Sequence, residues 1–332
     1  MSTTLPASSI LAAPAEEVLA RCAICGGCDS LVVSRAGVLY NRPEEPATVV
    51  SNLCLGCGVI YTSPRLSRRT LARFYESEQA VRRAVPPIGA LMTGEVSVKA
   101  LGRLTPALPF LSPRARVLEI GAGDCRTIAA FARHLPEGSV TGLDPAFPTD
   151  ATAPPNVRLV AGRLDDVTTP SGLEPPYDCI MGFHVLEHQH DPIAFLRRLT
   201  GLLAPGGVVY LEVPNTYRPW WRGKPVEVYF RTVHLFNFGR RALGTALHAA
   251  GFTPLVWATP ARALRVIARV GASPALTPRR PTPGEVRVIL RYFDWWRRYS
   301  RLRKASGLGR LAPLAGRAAW VALAPALTRA VQ

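Results

Sequence analysis

Two carboxylates and two glycines set the chemical question in this chain. Glu119, Gly121 and Gly123 lie in the run Val117-Leu118-Glu119-Ile120-Gly121-Ala122-Gly123-Asp124, and Asp144 closes the run Val140-Thr141-Gly142-Leu143-Asp144. Leu118 and Ile120 read as a short buried strand, the glycines let backbone come close to a ligand, and residues 128–135 carry apolar side chains at helical spacing. Asp144 stands 23 residues after Gly121, the separation at which a carboxylate at the end of the next strand accepts both hydroxyls of a ribose.

Two further features narrow the nucleotide. A dinucleotide fingerprint needs a third glycine where Arg126 stands, and Glu119 would add negative charge beside a pyrophosphate. The half-site therefore suits a cationic ligand without phosphate. S-adenosylmethionine, with a ribose, an ammonium group and a sulfonium, fits; a turn of the same shape that binds nothing is the competing reading.

A second constellation is made of thiols. Cys22-Ala-Ile-Cys25 and Cys54-Leu-Gly-Cys57 each offer two thiolates from a tight turn, and two such knuckles close a tetrahedral Zn²⁺ site. The intervening segment exceeds the usual spacing, but a hairpin carrying residues 31–33 and 49–50 accommodates it. Four protein ligands leave no open position, so this zinc is expected to be structural. Cys28 is a spare thiol, and Cys125 and Cys179 read as packing residues.

The elements that hold these groups follow from pattern. Strands are predicted at 116–120, 139–144, 157–161, 177–182, 207–213 and 253–258, alternating with helices. That order predicts an α/β fold, a Rossmann-like open, mostly parallel sheet with helices on both faces, preceded by a small zinc ribbon and followed by a basic helical tail. The expected division is a flexible arm at 1–20, a zinc-ribbon module at 21–65, a helical linker at 66–105, the cofactor-binding domain at 106–260 and the tail at 261–332. Hydrophobic residues make up 48% of the 332, enough for a sizeable core.

The net charge of +17 is unevenly placed. Residues 261–332 hold 15 of the 40 Lys and Arg residues but only two acids, Glu285 and Asp294, so the rest of the chain is nearly neutral. Within the tail, Arg287, Arg291, Asp294, Arg298 and Arg301 recur at steps of four and three, with Ile289, Phe293, Trp296 and Tyr299 on another side, which predicts an amphipathic helix. Residues 284–304 are accordingly expected either to meet an anionic membrane surface or acidic partner, or to pack on the chain's own body. Residues 311–327 are broken by Pro313, Arg317 and Pro325 and do not read as a membrane span. The first residues lack a signal peptide's basic start, and the cysteine usage suits a reducing compartment, so the expected location is cytoplasmic, with peripheral attachment to the inner face of the membrane as an option.

Beyond the fourth strand comes Phe183-His184-Val185-Leu186-Glu187-His188. Strand carboxyl ends line the ligand crevice of a parallel sheet, so His184 is expected near the transferable methyl group, either as a neutral base or as a structural histidine. Taken with the CxxC pairs, Thr62-Ser63-Pro64-Arg65, Phe74-Tyr75, Leu203 to Gly207, Val213-Pro214-Asn215, His234-Leu235-Phe236 and Ala250-Gly251-Phe252, these motifs make the sequence resemble class I S-adenosylmethionine-dependent methyltransferases that bear an N-terminal zinc-binding module. The likeness covers roughly residues 21–258.

The resemblance implies that Glu119, Gly121, Ala122 and Gly123 hold the methionine end of the cofactor, Asp144 its ribose, and Leu164 and Asp165 its adenine, with His184 alongside. It also implies acid-base or orienting roles for His234 and Tyr75, although Val233 replaces an acidic residue common before that histidine. Trp220, Trp221, Arg222, Lys224, Tyr229 and Arg231 could contact a sugar ring or an acid, or simply pack a cap. The expected acceptor is a small molecule or glycan precursor. An RNA methyltransferase and a non-catalytic cofactor-binding scaffold are the alternatives; the former is disfavoured because the Asn/Asp-Pro-Pro-Tyr segment that cradles a base amine is absent after strand four.

Overall fold

The computed structural model describes residues 17–39, 42–81, 88–148, 153–165, 171–217, 225–260, 263–271, 279–305 and 326–327. The chain begins with short strands β1 (Ser30–Ser34), β2 (Gly37–Leu39), β3 (Arg42–Ala47), β4 (Ser51–Cys54) and β5 (Ile60–Thr62), followed by helices α1 (Arg68–Val81), α2 (Ile88–Thr93) and α3 (Val98–Ala107). The central unit then runs β6 (Arg116–Ile120), α4 (Arg126–His134), β7 (Ser139–Asp144), β8 (Val157–Ala161), β9 (Tyr177–Phe183), α5 (Pro192–Thr200) and β10 (Leu203–Pro214). It continues through β11 (Phe236–Asn237), α6 (Arg240–Ala249), β12 (Phe252–Ala258) and β13 (Ala263–Val270), and ends in α7 (Pro283–Ala305).

Seven strands form the main sheet in the order β12-β13-β10-β9-β6-β7-β8. The β10, β9, β6, β7 and β8 ladder is parallel, whereas β13 runs antiparallel to both neighbours. Because both faces are covered, the central strands are almost continuously apolar, and successive side chains feed opposite cores. Leu118, Ile180 and Leu211 pack with Phe195 and Leu196 of α5 and Leu243 and Leu247 of α6. Val117, Met181 and Tyr210 pack with Leu104 of α3 and Ile128 and Phe131 of α4. At the start of α5, Asp191 accepts the Ala194 amide at 2.9 Å and Pro192 fills the first turn, so the helix direction is fixed from its first residue.

The sequence reading missed β13 and placed a domain boundary at 260/261 that the sheet overrides. β13 lies between β10 and β12, so the α/β unit extends to Val270. Its arginines suggested a basic tail, yet Leu264, Val266 and Ala268 face one core, Ile267 the other, and Arg265 turns to a buried partner described below. Nor are residues 66–105 a mere linker, since α3 packs on α4 and sends Arg103 into the centre of the site.

The small N-terminal sheet, β1-β4-β5-β11, borrows its last strand from beyond β10. The predicted zinc-module hairpin is realised by β1 against β4, with the β2–β3 hairpin between them. A third core joins this sheet to α7: Val33, Leu53, Ile60, Tyr217, Tyr229 and Phe230 pack against Ile289, Tyr292, Phe293 and Trp296. The tail helix therefore buries its aromatic face on the body of the protein while Arg287, Arg291, Arg298 and Arg301 point outward. Residues 272–278, 306–325 and 328–332 of the tail, Pro313, Arg317 and Pro325 among them, and residues 1–16 of the arm lie outside the described residues.

Candidate active site

The carboxyl ends of β6, β7, β8 and β9 open into one cleft of about 450 Å³. Gly121 adopts a left-handed φ of 71° and a Cβ there would come within 2.8 Å of Val185, so only glycine brings the β6 turn this close to the β9 loop. Asp144, at the tip of β7, accepts the Gly123 amide at 2.9 Å through one oxygen and the Ala146 amide at 2.8 Å through the other. These bonds aim its carboxylate into the cleft with lone pairs left for a diol.

Glu119 is 2% exposed and its Oε2 has no hydrogen-bond partner among the described residues. Burial pushes its carboxyl up to about 8, with Arg103 the main group opposing that rise. An unsatisfied buried carboxylate facing a cleft is the complement of a ligand ammonium group. Leu164 also lines the cleft, whereas Asp165, expected beside it, is not part of the lining.

At the β9 end, His184 has a left-handed φ of 60° and bridges two acids. Its Nδ1 lies 3.3 Å from Glu187 and its Nε2 lies 3.1 Å from Glu212. Burial works against charge on this imidazole, but hydrogen bonds to Glu187 and Glu212 outweigh it and raise the pKa to about 9. The two flanking acids thus favour the charged form of His184 over the neutral form that its position suggested. Glu212 is itself gripped by Arg103 at 2.6 Å and by Arg265; despite burial, these partners and His184 hold its carboxyl well below the usual range. Arg103 also lies 4.1 Å over the Phe183 ring and donates to Thr127.

The other two histidines are neutral. His188 Nδ1 donates to the Val233 carbonyl at 2.9 Å, leaving the lone pair on Nε2, and burial depresses its pKa. His234 is buried with its ring 5.0 Å from that of His188, and desolvation holds its pKa well below the ordinary value. Tyr75 lines the cleft and meets the His188 ring edge-on at 6.0 Å, so His184, His188 and Tyr75 gather at one end of it, whereas His234 packs against the His188 ring and is not part of the lining. Tyr229 is instead packed in the aromatic core, its hydroxyl on Thr216, and Trp220, Trp221, Arg222 and Lys224 lie outside the described residues. Sequence reasoning missed Arg103 and Glu212. The signal for Glu212 was a lone carboxylate inside the apolar run of β10; nothing in its local sequence marked Arg103.

The four expected zinc ligands also converge. Cys22 and Cys57 sulfurs lie 3.8 Å apart and Cys25 and Cys54 sulfurs 3.5 Å apart, close to the ~3.8 Å that tetrahedral coordination with ~2.3 Å bonds requires. A side chain at Gly56 would strike the Cys25 sulfur at 2.8 Å, so the knuckle is shaped around the sulfur cluster. Cys125 and Cys179 are buried in the core.

Comparison with known proteins agrees with this geometry. Residues 93–256 match the profile of a methyltransferase domain family. Trans-aconitate 2-methyltransferase of Methylobacterium radiotolerans is 32% identical over 108 residues, covering 32% of this chain and 41% of that protein. A ubiquinone biosynthesis O-methyltransferase of Xanthomonas campestris pv. campestris is 31% identical over 107 residues, covering 31% and 44%. The chain thus spans about two fifths of the length of the curated relatives it matches. Among solved structures, the 1,6-didemethyltoxoflavin-N1-methyltransferase of Burkholderia thailandensis, with S-adenosylhomocysteine bound, aligns with a TM-score of 0.41 and 21% identity over 67% of this chain and 96% of that one. Residues 93–256 are thus identified as a methyltransferase domain.

Proposed function

We propose that the protein transfers the methyl group of S-adenosylmethionine to a small organic acceptor such as a metabolite or sugar precursor. The observation that carries this reading is the pairing of a buried, unsatisfied Glu119 with a backbone-anchored Asp144 across one cleft. Glu119 receives the ammonium group, Asp144 the ribose hydroxyls, and Leu164 the adenine face. Lys99 and Arg103 line the same end and match the ligand's carboxylate.

The sulfonium supplies an already activated methyl group, so the protein's task is to align the acceptor and remove its proton. Cationic His184 serves as a fixed positive post beneath the reacting atoms, while His188, with its Nε2 lone pair, and the adjoining His234 take the proton. Tyr75 orients the acceptor from above. The cysteine cluster holds a structural zinc. The outward arginines of α7 dock the enzyme on an anionic surface; co-sedimentation with anionic vesicles that survives replacing Arg287, Arg291, Arg298 and Arg301 by alanine would remove that part. Among the described residues no helix is long and apolar enough to cross a membrane.

The test is calorimetric titration of S-adenosylmethionine into wild type and Asp144→Ala. Micromolar binding lost in the variant supports the reading; no binding to a folded wild type refutes it.

A further inference from the structure

A second guanidinium in the cleft, besides that of Arg103, has no carboxylate partner among the described residues. Glu212 is the shared partner of Arg103, Arg265 and His184, Glu187 is a second partner of His184, and backbone amides occupy part of Asp144. Arg163 follows β8, lines the cleft beside Leu164, and lies with its guanidinium carbon 4.9 Å from the centre of the Tyr75 ring. Its Nη1 is buried and makes no hydrogen bond to any described residue. The cation–π contact fixes the plane of the guanidinium without satisfying its N–H groups. Close by, His188 and His234 are held neutral, and Arg163 itself contributes to the depression of the His188 pKa. Beyond the Glu187 carboxylate, which lies 3.3 Å from His184, this end of the cleft therefore holds a buried cationic donor with no acceptor among the described residues, an arrangement that a ligand anion resolves.

The cofactor does not supply that anion. Its single carboxylate belongs to the methionine end, near Glu119, Lys99 and Arg103, whereas Arg163 stands with Tyr75 and His188 where the acceptor must enter. On the methyltransferase reading above, we propose that the acceptor is an acid, and that Arg163 receives a carboxylate or phosphate placed a few bonds from the methylated atom. The guanidinium presents a planar fork that fits paired oxygens, and Tyr75 keeps that fork in register with the His188 lone pair. Arg163 would then select acidic acceptors over neutral ones and orient the nucleophilic atom toward the methyl group.

The test uses the full chain with S-adenosylhomocysteine. That ligand is first titrated into wild type, Arg163→Met and Arg163→Lys, and equal affinity is expected in all three. Failure of the wild type to bind it would defeat the methyltransferase reading itself, and equal binding certifies that both variants are folded. The loaded proteins are then titrated with citrate, glucose 1-phosphate and glucose. At least one anion should saturate the wild type, lose about ten- to a hundredfold in affinity in Arg163→Met, and lose less in Arg163→Lys, while glucose does not distinguish the three. A response to citrate assigns a carboxylate and a response to glucose 1-phosphate a phosphate. The proposal is overturned by unchanged anion affinity in Arg163→Met or by no saturable binding of either anion to the wild type. A loss of S-adenosylhomocysteine affinity in Arg163→Met also overturns it, since the arginine would then serve the cofactor.

Discussion

Cofactor binding should weaken steeply on mild acidification, because Glu119 is a carboxylate only above an unusually high pKa. Burial lifts its carboxyl to about 8, and only the ionised form pairs with a ligand ammonium group. For that pKa the ionised fraction is roughly a quarter at pH 7.5 and about a hundredth at pH 6, so the affinity for S-adenosylhomocysteine should fall about 25-fold between them. The ligand's own amino group titrates near ~8 and depresses affinity on the alkaline side, so the acid limb belongs to Glu119. In Glu119→Gln that limb should vanish, leaving weak binding that is flat from pH 6 to 7.5. Stability follows the same linkage. The folded-state pKa lies above the ordinary 4.5, so the unliganded protein loses stability as pH rises through about 8, and the thermal shift on cofactor binding is larger at pH 7.5 than at pH 6. Calorimetry across this range decides the matter: a pH-independent dissociation constant in wild type, or the same acid limb in Glu119→Gln, would refute the assignment of the ammonium partner.

Three other perturbations have defined outcomes. Glu212→Gln leaves Arg103, Arg265 and His184 without their shared carboxylate; it should cost about 3–5 kcal/mol in urea unfolding, and the His184 imidazole resonances should titrate at lower pH than in wild type. Metal analysis should find one zinc per chain in wild type and none in a Cys54→Ser variant, with S-adenosylhomocysteine affinity retained and methyl transfer lost. Trp296→Ala opens the aromatic core between α7 and the zinc module and should cost about 3–5 kcal/mol, whereas Arg291→Ala on the outer face of the same helix should change stability by less than about 0.5 kcal/mol in the same denaturation assay.

The parts legible in the sequence are those whose chemistry is local. The β6 turn, Asp144 and the CxxC knuckles announce themselves because residue type and spacing within one supersecondary unit determine their geometry. β13 was hidden because alternation of arginine with aliphatic residues reads as surface, and only the placement of Glu212 on the neighbouring strand turns Arg265 into a buried ion-pair partner. The protonation state of His184 was illegible for a related reason. Its strand position could be read, but its charge depends on Glu187 and on Glu212, the latter 28 residues away, and thereby on Arg103 from a helix that looked like a linker.

The zinc module acquires a role from the same kind of long-range contact. β11 is only two residues long and belongs to the small sheet, where Phe236 and Asn237 pair with Tyr61 and Ile60 of β5. Immediately before it, the Thr62 amide donates to the Leu235 carbonyl at 2.9 Å and the Thr62 hydroxyl to the His234 carbonyl at 3.0 Å. So short a strand has no stability of its own. The backbone that carries His234 is therefore set by β5, and β5 is held by β4, whose Cys54 belongs to the sulfur cluster. The cysteine cluster and the position of His234 are thus linked through two consecutive strand pairings. The cysteine ribbon is better understood as part of the framework that fixes His234 and, through the Val233 carbonyl, His188 than as an independent module tethered in front of the main sheet.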